Sequence, residues 1–491
     1  MSERPLRVAV IGAGMAGILS AIKLREAGID DFTVYEKADR LGGTWRENTY
    51  PGIACDVPSH LYCYSFALNP DWSHRYSPGG EIQTYFERVA REHGVERDMR
   101  FGDAVARLAY TGGRWRLTTE AGHTDEVDVV IAATGVLHQP NVPAIAGMDE
   151  FAGAIFHSAR WDHDVVLDGA RIGVIGTGST AIQITSAVVD RAQHYSLFQR
   201  TPQWVLPSEN PAYTDEEKEH LRSHPEALDQ LHGEISEIFA EGFSNAVIDA
   251  ESPMMKMIEQ ACRDNLEQSV TDPDLRERLR PDDVAACKRL IISPDFYQAI
   301  QRPDAELVTD PIRCIEAGGV RTVDGRLHDL DVLVLATGFD ANTGGLTSID
   351  LRGSDGRTIA EHWADGVDTH LGLAAHGFPN MLMLYGPQST TAYCNGPVCA
   401  EIQGDWVAAL LDHMRRNDLS TFESSEESGE SWSALLAMVA EQTLFGRTDS
   451  WYMAANIPGK RRQLMNLPMT DLYLERLDSC AADGYDGFEF A

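Results

Sequence analysis

Two glycine-rich turns, each set between an apolar segment and an apolar helical pattern, constrain the fold of this chain more than any other feature. The first turn places Gly12, Gly14 and Gly17 after the apolar segment RVAVI (7–11) and at the start of a helical pattern that ends near Gly28. A continuous apolar run of this kind is typical of a parallel strand buried on both faces. In such a unit the three glycines permit a tight turn, close approach of a pyrophosphate, and packing of the helix on the strand. The first turn therefore predicts a dinucleotide site.

The same pattern occurs a second time further along the chain. The apolar segment RIGVI (171–175) leads into Gly176, Gly178 and Ala181, and the helical pattern AIQITSAVV follows. Alanine at the third position still permits close packing of helix and strand. The sequence thus predicts a second dinucleotide site.

The residues that end the next strand of each unit distinguish the two sites. Glu36 follows the strand pattern FTVY, roughly 20 residues after the first turn, where a carboxylate can accept hydrogen bonds from ribose hydroxyls. After the strand pattern HYSLF the chain has Arg200 and Thr201 instead, and a guanidinium matches a 2′-phosphate. We therefore expect FAD at the first site and NADPH at the second. The alternative for Arg200 is an ordinary solvated surface arginine.

The order of these units predicts an α/β fold with two Rossmann-like dinucleotide-binding domains. Two further strand patterns, DVVIAATG (128–135) and DVLVLATGFDA (331–341), each lie well downstream of their own glycine turn. We expect residues 1–142 and 344–491 to form an FAD domain that is interrupted by an NADP domain at 143–343. Residues 214–286 are expected to form a helical insertion, because Thr214 and Thr271-Asp-Pro273 are typical helix starts. The acidic stretch 423–431 is predicted to be a solvated loop or frayed helix end.

Composition excludes several classes of function. The chain has 491 residues, a net charge of −34 and hydrophobic residues at 43%, which is ordinary for a globular protein. Such an acidic chain lacks the basic face that nucleic acid or an anionic membrane requires. No apolar run is long enough for a membrane helix and no signal-peptide pattern is present, which favours a soluble, cytoplasmic protein. The eight cysteines are dispersed, so we expect reduced thiols and no metal site.

Three further segments identify the type of chemistry. They are GTWRENTYPGIACD (43–56), FAGAIFHSARWD (151–162) and the pair Lys288-Arg289. The second matches the pattern F-x-G-x-x-x-H-x-x-x-W-D at each fixed position, and the first matches G-x-W-x-x-x-x-Y-P-G-x-x-x-D. Together they resemble the single-chain Baeyer–Villiger monooxygenases that depend on FAD and NADPH, and the resemblance covers nearly the whole chain.

The resemblance implies a reaction and three catalytic residues. It implies that NADPH reduces FAD, and that one atom of O2 is inserted next to a ketone carbonyl to give an ester or lactone. Arg289 would stabilise the anionic oxygen species, because a guanidinium stays charged at any working pH. Asp56 would orient Arg289, and His157 would couple the two domains. The alternatives are a phosphate-ligand role for Arg289, loop capping for Asp56, and a purely structural histidine.

The resemblance also implies the remaining cofactor ligands. For FAD they are Gly12, Gly14, Gly17, Glu36, Gly43, Thr44, Trp45, Asp56, Tyr62 and Val105. For NADP they are Gly176, Gly178, Ser179, Thr180, Ala181, Gln183, Arg200, Thr201, Lys288, Arg289 and Trp451. The aromatic residues among them are equally compatible with the core.

The sequence also bears on the substrate class and on alternative functions. The segment 386–397 resembles members that act on bulky ketones, which implies a large cyclic ketone as substrate. A monomer or a small homo-oligomer is expected. Two alternatives stay open: a flavin monooxygenase that oxygenates sulfur or nitrogen, and a disulfide reductase with flavin and NADPH. The second needs a redox cysteine pair, and the spacing of Cys55 and Cys63 is not that of such enzymes.

Overall fold

The described part of the protein forms two parallel sheets of the dinucleotide-binding type, as the two glycine turns predict. The computed structural model describes residues 5–240, 248–390 and 394–491. The strands of the first sheet, in spatial order, are Met381–Met383, Val129–Ala132, Val8–Ile11, Phe32–Tyr35 and Met99–Arg100. Those of the second are Ala305–Val308, His194–Phe198, Arg171–Ile175, Val332–Leu335 and Ala154–His157. All neighbouring strands in both sheets run parallel. The predicted α/β class with two Rossmann-like units is confirmed.

The first sheet draws its strands from both ends of the chain. Strand Met381–Met383 pairs with Val129–Ala132, and helix Gly396–Arg416 packs against helix Met15–Glu26. Gly404 allows this helix contact, since a Cβ there would lie 3.2 Å from a methyl carbon of Leu19. The C-terminal part of the chain therefore completes the sheet that begins at residue 8, although the predicted domain boundaries at 142 and 343 stay predictions.

Smaller sheets flank the two parallel ones. One combines Asp350–Arg352, Val105–Thr111, Arg114–Thr119 and Thr124–Val127, and another combines Ile312–Glu316, Gly319–Thr322 and Leu327–Asp329. Among the residues that the structure describes, three two-stranded pairs join Val205–Leu206 to Ile291–Ile292, Gln139–Pro140 to Phe339–Asp340, and Phe422–Ser424 to Phe488–Phe490. The pair at 139 and 340 connects the exits of the two large sheets, which places their carboxyl ends side by side.

Helices cover the sheets and form the insertion. The four helices described between residues 214 and 286 are Asp215–Ser223, Pro225–Phe239, Pro253–Ser269 and Pro273–Leu279. The remaining α-helices are Met15–Glu26, Thr44–Glu47, Gly79–Glu92, Ser179–Val188, Phe296–Ala299, Gly344–Thr347, Ile359–His362, Gly396–Arg416, Glu426–Gln442 and Thr470–Ala482. Thr214 forms a capping box with Glu217, and Asp272 caps the helix that begins at Pro273, as their sequence patterns predict. No helix among the described residues is both long and apolar enough to cross a membrane.

One sequence expectation about local structure is wrong. The acidic stretch 423–431 is an ordered strand end followed by the start of helix Glu426–Gln442. The Ser425 side chain caps this helix by accepting a hydrogen bond from the Ser428 amide, and Trp432 is buried. Acidic residues in a first turn are favourable next to the helix dipole, so the charge run marks a helix start.

Candidate active site

The first glycine turn is tight enough to exclude side chains at two of its positions. Gly12 has a φ of +104°, and a Cβ there would lie 2.6 Å from the carbonyl oxygen of Ala133. A Cβ on Gly17 would lie only 1.8 Å from the carbonyl oxygen of Gly12. Both positions therefore require glycine, because strand, turn and helix pack backbone against backbone.

Gly14 and Gly43 face each other at the amino end of helix Met15–Glu26. Gly43 has a φ of +55°, and a Cβ there would lie 2.9 Å from the Cα of Gly14. Gly14 occupies the cap position of the helix, so the first free backbone N–H groups point out beside this pair. Thr44 begins the short helix that follows Gly43. Exposed amides without overlying side chains fit the pyrophosphate of a dinucleotide.

Glu36 is held in place beside the first turn. One carboxylate oxygen accepts a hydrogen bond of 2.8 Å from the Ala13 amide, and the other accepts one of 3.0 Å from Ala38. The buried Arg46 forms an ion pair of 2.9 Å with the same carboxylate. A carboxylate oriented in this way fits ribose hydroxyls. Val105, another predicted FAD ligand, lies far from Glu36 in the sequence and begins the strand Val105–Thr111.

The second turn leaves more room than the first. Gly176 has a φ of +121°, and a Cβ there would lie 2.2 Å from the Ala336 carbonyl oxygen. Gly178 caps helix Ser179–Val188, and no other group lies within 4 Å of a Cβ built on it. Ala181 is fully buried under the turn. This open space over a helix amino end, next to Ser179 and Thr180, fits a phosphate group.

Basic residues lie on one side of the second turn. Arg200 is exposed and makes no ion pair with the rest of the described chain, while the Thr201 carbonyl accepts a hydrogen bond of 2.7 Å from Thr177 in the turn. A small, open pocket lies next to them and is lined by residues 202–204, 281, 283, 284, 286 and 288–290. Lys288 forms an ion pair with Asp283 at the wall of this pocket.

Arg289 forms a bidentate ion pair with Asp56. Its Nη2 and Nε donate hydrogen bonds of 2.6 and 3.0 Å to the two carboxylate oxygens. Cys55 is buried beside the pair, and burial raises the pKa of its thiol well above the ordinary value. The structure thus brings together the two residues that were predicted to act as the cation and its orienting acid.

The segment 43–56 contacts the second nucleotide unit as well as the first. The Tyr50 hydroxyl donates a hydrogen bond of 2.9 Å to the Gln183 side chain, whose amide nitrogen donates one of 3.0 Å to the Ala54 carbonyl. A Cβ on Gly52 would lie 2.6 Å from the Gln183 carbonyl oxygen, so only glycine fits there. The amide group of Gln183 is therefore engaged by the neighbouring unit, and its role as an NADP ligand stays a prediction.

Comparison with known proteins identifies the family. Residues 5–261 match the family described as flavin-binding monooxygenase-like. The chain is 44% identical to an uncharacterized monooxygenase of Mycobacterium tuberculosis, over 92% of this chain and 91% of that protein. It is 36% identical to a Baeyer–Villiger monooxygenase of Streptomyces coelicolor, over 92% and 87% of the two chains. The chain belongs to the flavin-binding monooxygenase-like family.

Solved structures and one further relative add detail about the family. The structure of cyclohexanone monooxygenase from Rhodococcus sp. Phi1 bound to NADP+ has a TM-score of 0.89 and 32% identity, and covers 100% of this chain and 99% of that chain. An OTEMO complex with FAD and NADP has a TM-score of 0.89 and 30% identity, and covers both chains completely. A phenazine N-monooxygenase of Lysobacter antibioticus is 33% identical over 98% of this chain. The similar proteins thus include a cyclohexanone monooxygenase and a phenazine N-monooxygenase, whose names refer to different oxygenation reactions.

In this flavin-binding monooxygenase, His157 is fixed by the backbone on both sides of its ring. Its Nε2 bonds to the Gly338 carbonyl at 3.0 Å, and its Nδ1 accepts a hydrogen bond of 3.1 Å from the Ala159 amide. Because one ring nitrogen accepts a hydrogen bond and the other faces a carbonyl, the ring is neutral. Burial also lowers the pKa of His157 below its ordinary value. The histidine therefore joins the linker to the loop after strand Val332–Leu335, and both nitrogens are occupied.

The aromatic residues that were predicted near the cofactors lie in two groups. The Trp45 indole donates a hydrogen bond of 3.1 Å to the Tyr62 hydroxyl, and the rings meet edge to face at 5.5 Å. Trp451 packs against Tyr452, with ring centroids 4.3 Å apart. Tyr62 lies near Asp56. Trp451 comes from a segment near the C-terminus, and its ring partner Tyr452 lies near Tyr385.

Sequence reasoning did not identify Tyr385, which the fold brings to the Arg289–Asp56 pair. Burial raises the pKa of the Tyr385 hydroxyl, and the charges of Arg289 and Asp56 both lie close enough to affect it. Its backbone is left-handed, with a φ of +57°, which is rare for an aromatic residue. Such strain is often found at functional sites, but no local sequence pattern encodes it.

The cysteines differ from expectation in one place. Cys394 and Cys399 form a disulfide with a Cα–Cα distance of 6.0 Å, so the prediction that all eight cysteines are thiols is wrong. Helix Gly396–Arg416 begins between them and returns Cys399 to Cys394 within one turn, which dispersed spacing does not reveal. The other six cysteines are free, among them the buried Cys55 and Cys63. No group of three potential metal-binding side chains is present in the part of the chain described.

Proposed function

We propose that this flavin-binding monooxygenase is a Baeyer–Villiger monooxygenase that uses FAD, NADPH and O2 to convert a ketone into an ester or lactone. The observation that carries the proposal is the Arg289–Asp56 ion pair, in which a permanent cation is oriented at the end of the segment 43–56. The curated relatives with the corresponding names, and the two nucleotide turns, support the same conclusion.

The two turns fit the two cofactors. FAD would be held by Gly12, Gly14, Gly17, Glu36, Gly43, Thr44, Trp45, Asp56, Tyr62 and Val105. NADPH would be held by Gly176, Gly178, Ser179, Thr180, Ala181, Arg200, Thr201, Lys288, Arg289 and Trp451, with Gln183 at the edge of the site. When bound, NADPH supplies a hydride and FAD supplies the redox centre at which O2 is activated. We propose the domain limits 1–142, 143–343 and 344–491 for these sites.

Arg289 would stabilise negative charge on oxygen during the reaction. Its guanidinium stays charged, and the two hydrogen bonds to Asp56 fix its orientation before substrate arrives. A preorganised donor at a developing oxyanion is worth about 2.7 to 4 kcal/mol, or a factor of roughly 100 to 1,000 in rate. Asp56 is thus a positioning residue, and it also balances the charge of Arg289.

His157 would act as a positioning residue without transferring a proton. The neutral ring connects the linker to Gly338, and it meets the Phe339 ring edge to face at a centroid distance of 5.7 Å. These contacts support its expected role of holding the linker in a fixed position against the second sheet.

We propose a bulky cyclic ketone as the substrate, because the segment 386–397 resembles members that act on such substrates. We also propose a cytoplasmic location, where NADPH is available, and a monomer or small homo-oligomer.

A second candidate function is oxygenation of nitrogen. The 33% identity to a phenazine N-monooxygenase favours it, because that relative covers nearly the whole chain. The other alternative, a disulfide reductase, is disfavoured because Cys55 and Cys63 are buried, unpaired thiols.

A coupled turnover assay separates these functions. The purified protein is incubated with NADPH and a panel of linear, monocyclic and polycyclic ketones, while NADPH, O2 and ester are measured together. Parallel reactions contain a phenazine, a sulfide or a disulfide. Ester formation that matches NADPH and O2 consumption supports the proposal. Oxygenated phenazine or sulfide without ester, or disulfide reduction without O2 uptake, would overturn it.

A further inference from the structure

Glu47 lies at the centre of a group of basic side chains that the proposed chemistry does not use. Its side chain is only 11% exposed. The carboxylate lies 3.0 Å from Lys37 Nζ, 2.9 Å from Arg46 Nη2, 3.0 Å from Arg160 Nη1 and 3.5 Å from His138 Nδ1. We call these five residues the Glu47 cluster. Burial raises the pKa of Glu47, but the neighbouring His138, Lys37 and Arg160 lower it below its ordinary value overall, while burial lowers the pKa of His138 itself.

The Glu47 cluster joins the first nucleotide site to the linker. Arg46 forms an ion pair of 2.9 Å with Glu36, the proposed ribose ligand, and a second one of 2.9 Å with Glu47. Arg160, on the other side of Glu47, belongs to the linker 151–162. A continuous chain of short ion pairs therefore runs from Glu36 through Arg46 and Glu47 to Arg160.

A second contact holds the same two segments together. The Thr49 hydroxyl and His163 Nε2 lie 2.7 Å apart, within hydrogen-bonding distance. Glu47 and Thr49 are two residues apart in the segment 43–56, just as Arg160 and His163 are close neighbours in the chain. Arg160 of the linker and His163 directly after it thus connect this part of the chain to the segment 43–56 at two points.

The linker is also part of the second nucleotide unit. Its strand Ala154–His157 is the edge strand of the second sheet and pairs with Val332–Leu335. Arg160 follows His157 by three residues, and His157 is bonded to Gly338 at the exit of that sheet. A shift of Arg160 relative to Glu47 would therefore shift the second sheet relative to the first site.

We propose that Glu47 is a positioning residue that couples occupancy of the two nucleotide sites by holding Arg160 of the linker against the first domain. The inference rests on the proposed function, because it takes FAD and NADP as the two ligands. Coupling between sites is reciprocal, so bound NADP+ strengthens FAD retention by the same factor by which FAD strengthens NADP+ binding. The Arg160 side chain is 45% exposed and single exposed ion pairs contribute little, but Glu47 is only 11% exposed and belongs to a network of ion pairs.

The coupling can be measured without turnover. Holoenzyme is diluted with and without saturating NADP+, and FAD release is followed by flavin fluorescence to give the two FAD dissociation constants. Their ratio is the coupling factor. We expect NADP+ to tighten FAD severalfold in the natural protein, and Arg160→Met or Glu47→Gln to reduce the coupling factor by about threefold or more. Arg160→Lys should restore it, and the double variant should lose no more than either single variant.

A matched control distinguishes coupling from a general charge effect. Arg116→Met removes a 3.0 Å ion pair with Glu126 in the four-stranded sheet, outside both turns and the linker. It should leave the coupling factor unchanged. The proposal is overturned if the natural protein shows no coupling, if Arg160→Met leaves it intact, or if Arg116→Met reduces it equally. It is also overturned if Arg160→Met weakens FAD equally with and without NADP+. None of these outcomes depends on ketone oxidation, which the turnover assay tests separately.

Discussion

The two hydrogen bonds from Arg289 to Asp56 connect parts of the chain that meet only when the two nucleotide units are docked. Asp56 ends the segment that begins beside the first glycine turn, whereas Arg289 follows the helical insertion, and the two are 233 residues apart. The position of the proposed catalytic cation therefore depends on how the units are held together. Tyr50, Gly52 and Gln183 maintain the same docking a few residues away.

Replacement of Arg289 should separate flavin reduction from oxygenation. Arg289→Ala removes the charge that would stabilise the anionic oxygen, while the two glycine turns stay intact. We expect flavin reduction by NADPH to persist, ester formation to fall by roughly 100- to 1,000-fold, and hydrogen peroxide to be released instead. Stopped-flow reduction and product analysis measure each step.

Two further variants serve as comparisons for Arg289→Ala. Asp56→Asn keeps the shape of the Arg289 partner but removes its charge, so it should reduce ester formation less than Arg289→Ala. Arg116→Ala removes an exposed arginine elsewhere and should have no effect. Substantial ester formation by Arg289→Ala would contradict the role assigned to this residue. Loss of NADPH binding without an oxygenation defect would instead indicate a phosphate ligand.

The nucleotide units could be predicted from sequence because their determinants are local. Gly12 and Gly176 are recognisable because each lies directly between an apolar strand and an apolar helix, and Gly17 because it lies in the first turn of such a helix; the structure leaves no space for a Cβ at any of the three. The insertion could be predicted for a similar reason, since Thr214 and Asp272 are helix caps with short-range signals. Local patterns of this kind need no knowledge of the rest of the fold.

Features that depend on distant contacts could not be predicted. The left-handed backbone of Tyr385 and the engagement of Gln183 by Tyr50 both arise from packing between segments far apart in the chain. The short turn that brings Cys399 back to Cys394 depends on where a helix begins. The cofactor ligands, including Val105 and Trp451, follow from a family resemblance and stay predictions for this chain.

A side chain at Gly14 should prevent FAD binding. Gly14→Val would place methyl groups over the free amides at the start of helix Met15–Glu26, where the pyrophosphate is expected. The purified natural protein should be yellow with one FAD per chain, and the variant should be colourless. Gly80→Val is a suitable control, because no group lies within 4 Å of a Cβ at that position. Full FAD content in Gly14→Val, measured by absorbance after heat release, would disprove this site.

Coenzyme preference should depend on Arg200. Its exposed guanidinium lies beside the second turn and forms no ion pair with other described residues, so it is available for a 2′-phosphate. A charge-assisted contact of this type contributes about 1.5 to 3 kcal/mol, or roughly ten- to a hundredfold in affinity. Arg200→Ala should raise the KM for NADPH by that factor and leave the KM for NADH nearly unchanged. An equal loss for both coenzymes would show that Arg200 supports the fold instead.

Acid should destabilise the protein partly through His60. This histidine is 1% exposed, its Nδ1 lies 3.2 Å from the Tyr213 hydroxyl, and burial lowers its pKa from the ordinary 6.5 to about 4. A histidine with a lowered folded-state pKa contributes stability that is present above pH 6.5 and is lost as the pH falls toward 4. At pH 5.5 the loss of folding free energy from this group amounts to about 1.4 kcal/mol relative to pH 7.5.

His60→Gln should be less stable than the natural protein at pH 7.5, but the difference in unfolding free energy should shrink by about that amount at pH 5.5. Urea unfolding at the two pH values measures this change, with His224→Gln at an exposed position as the control. An unchanged difference would show that His60 does not titrate over this range.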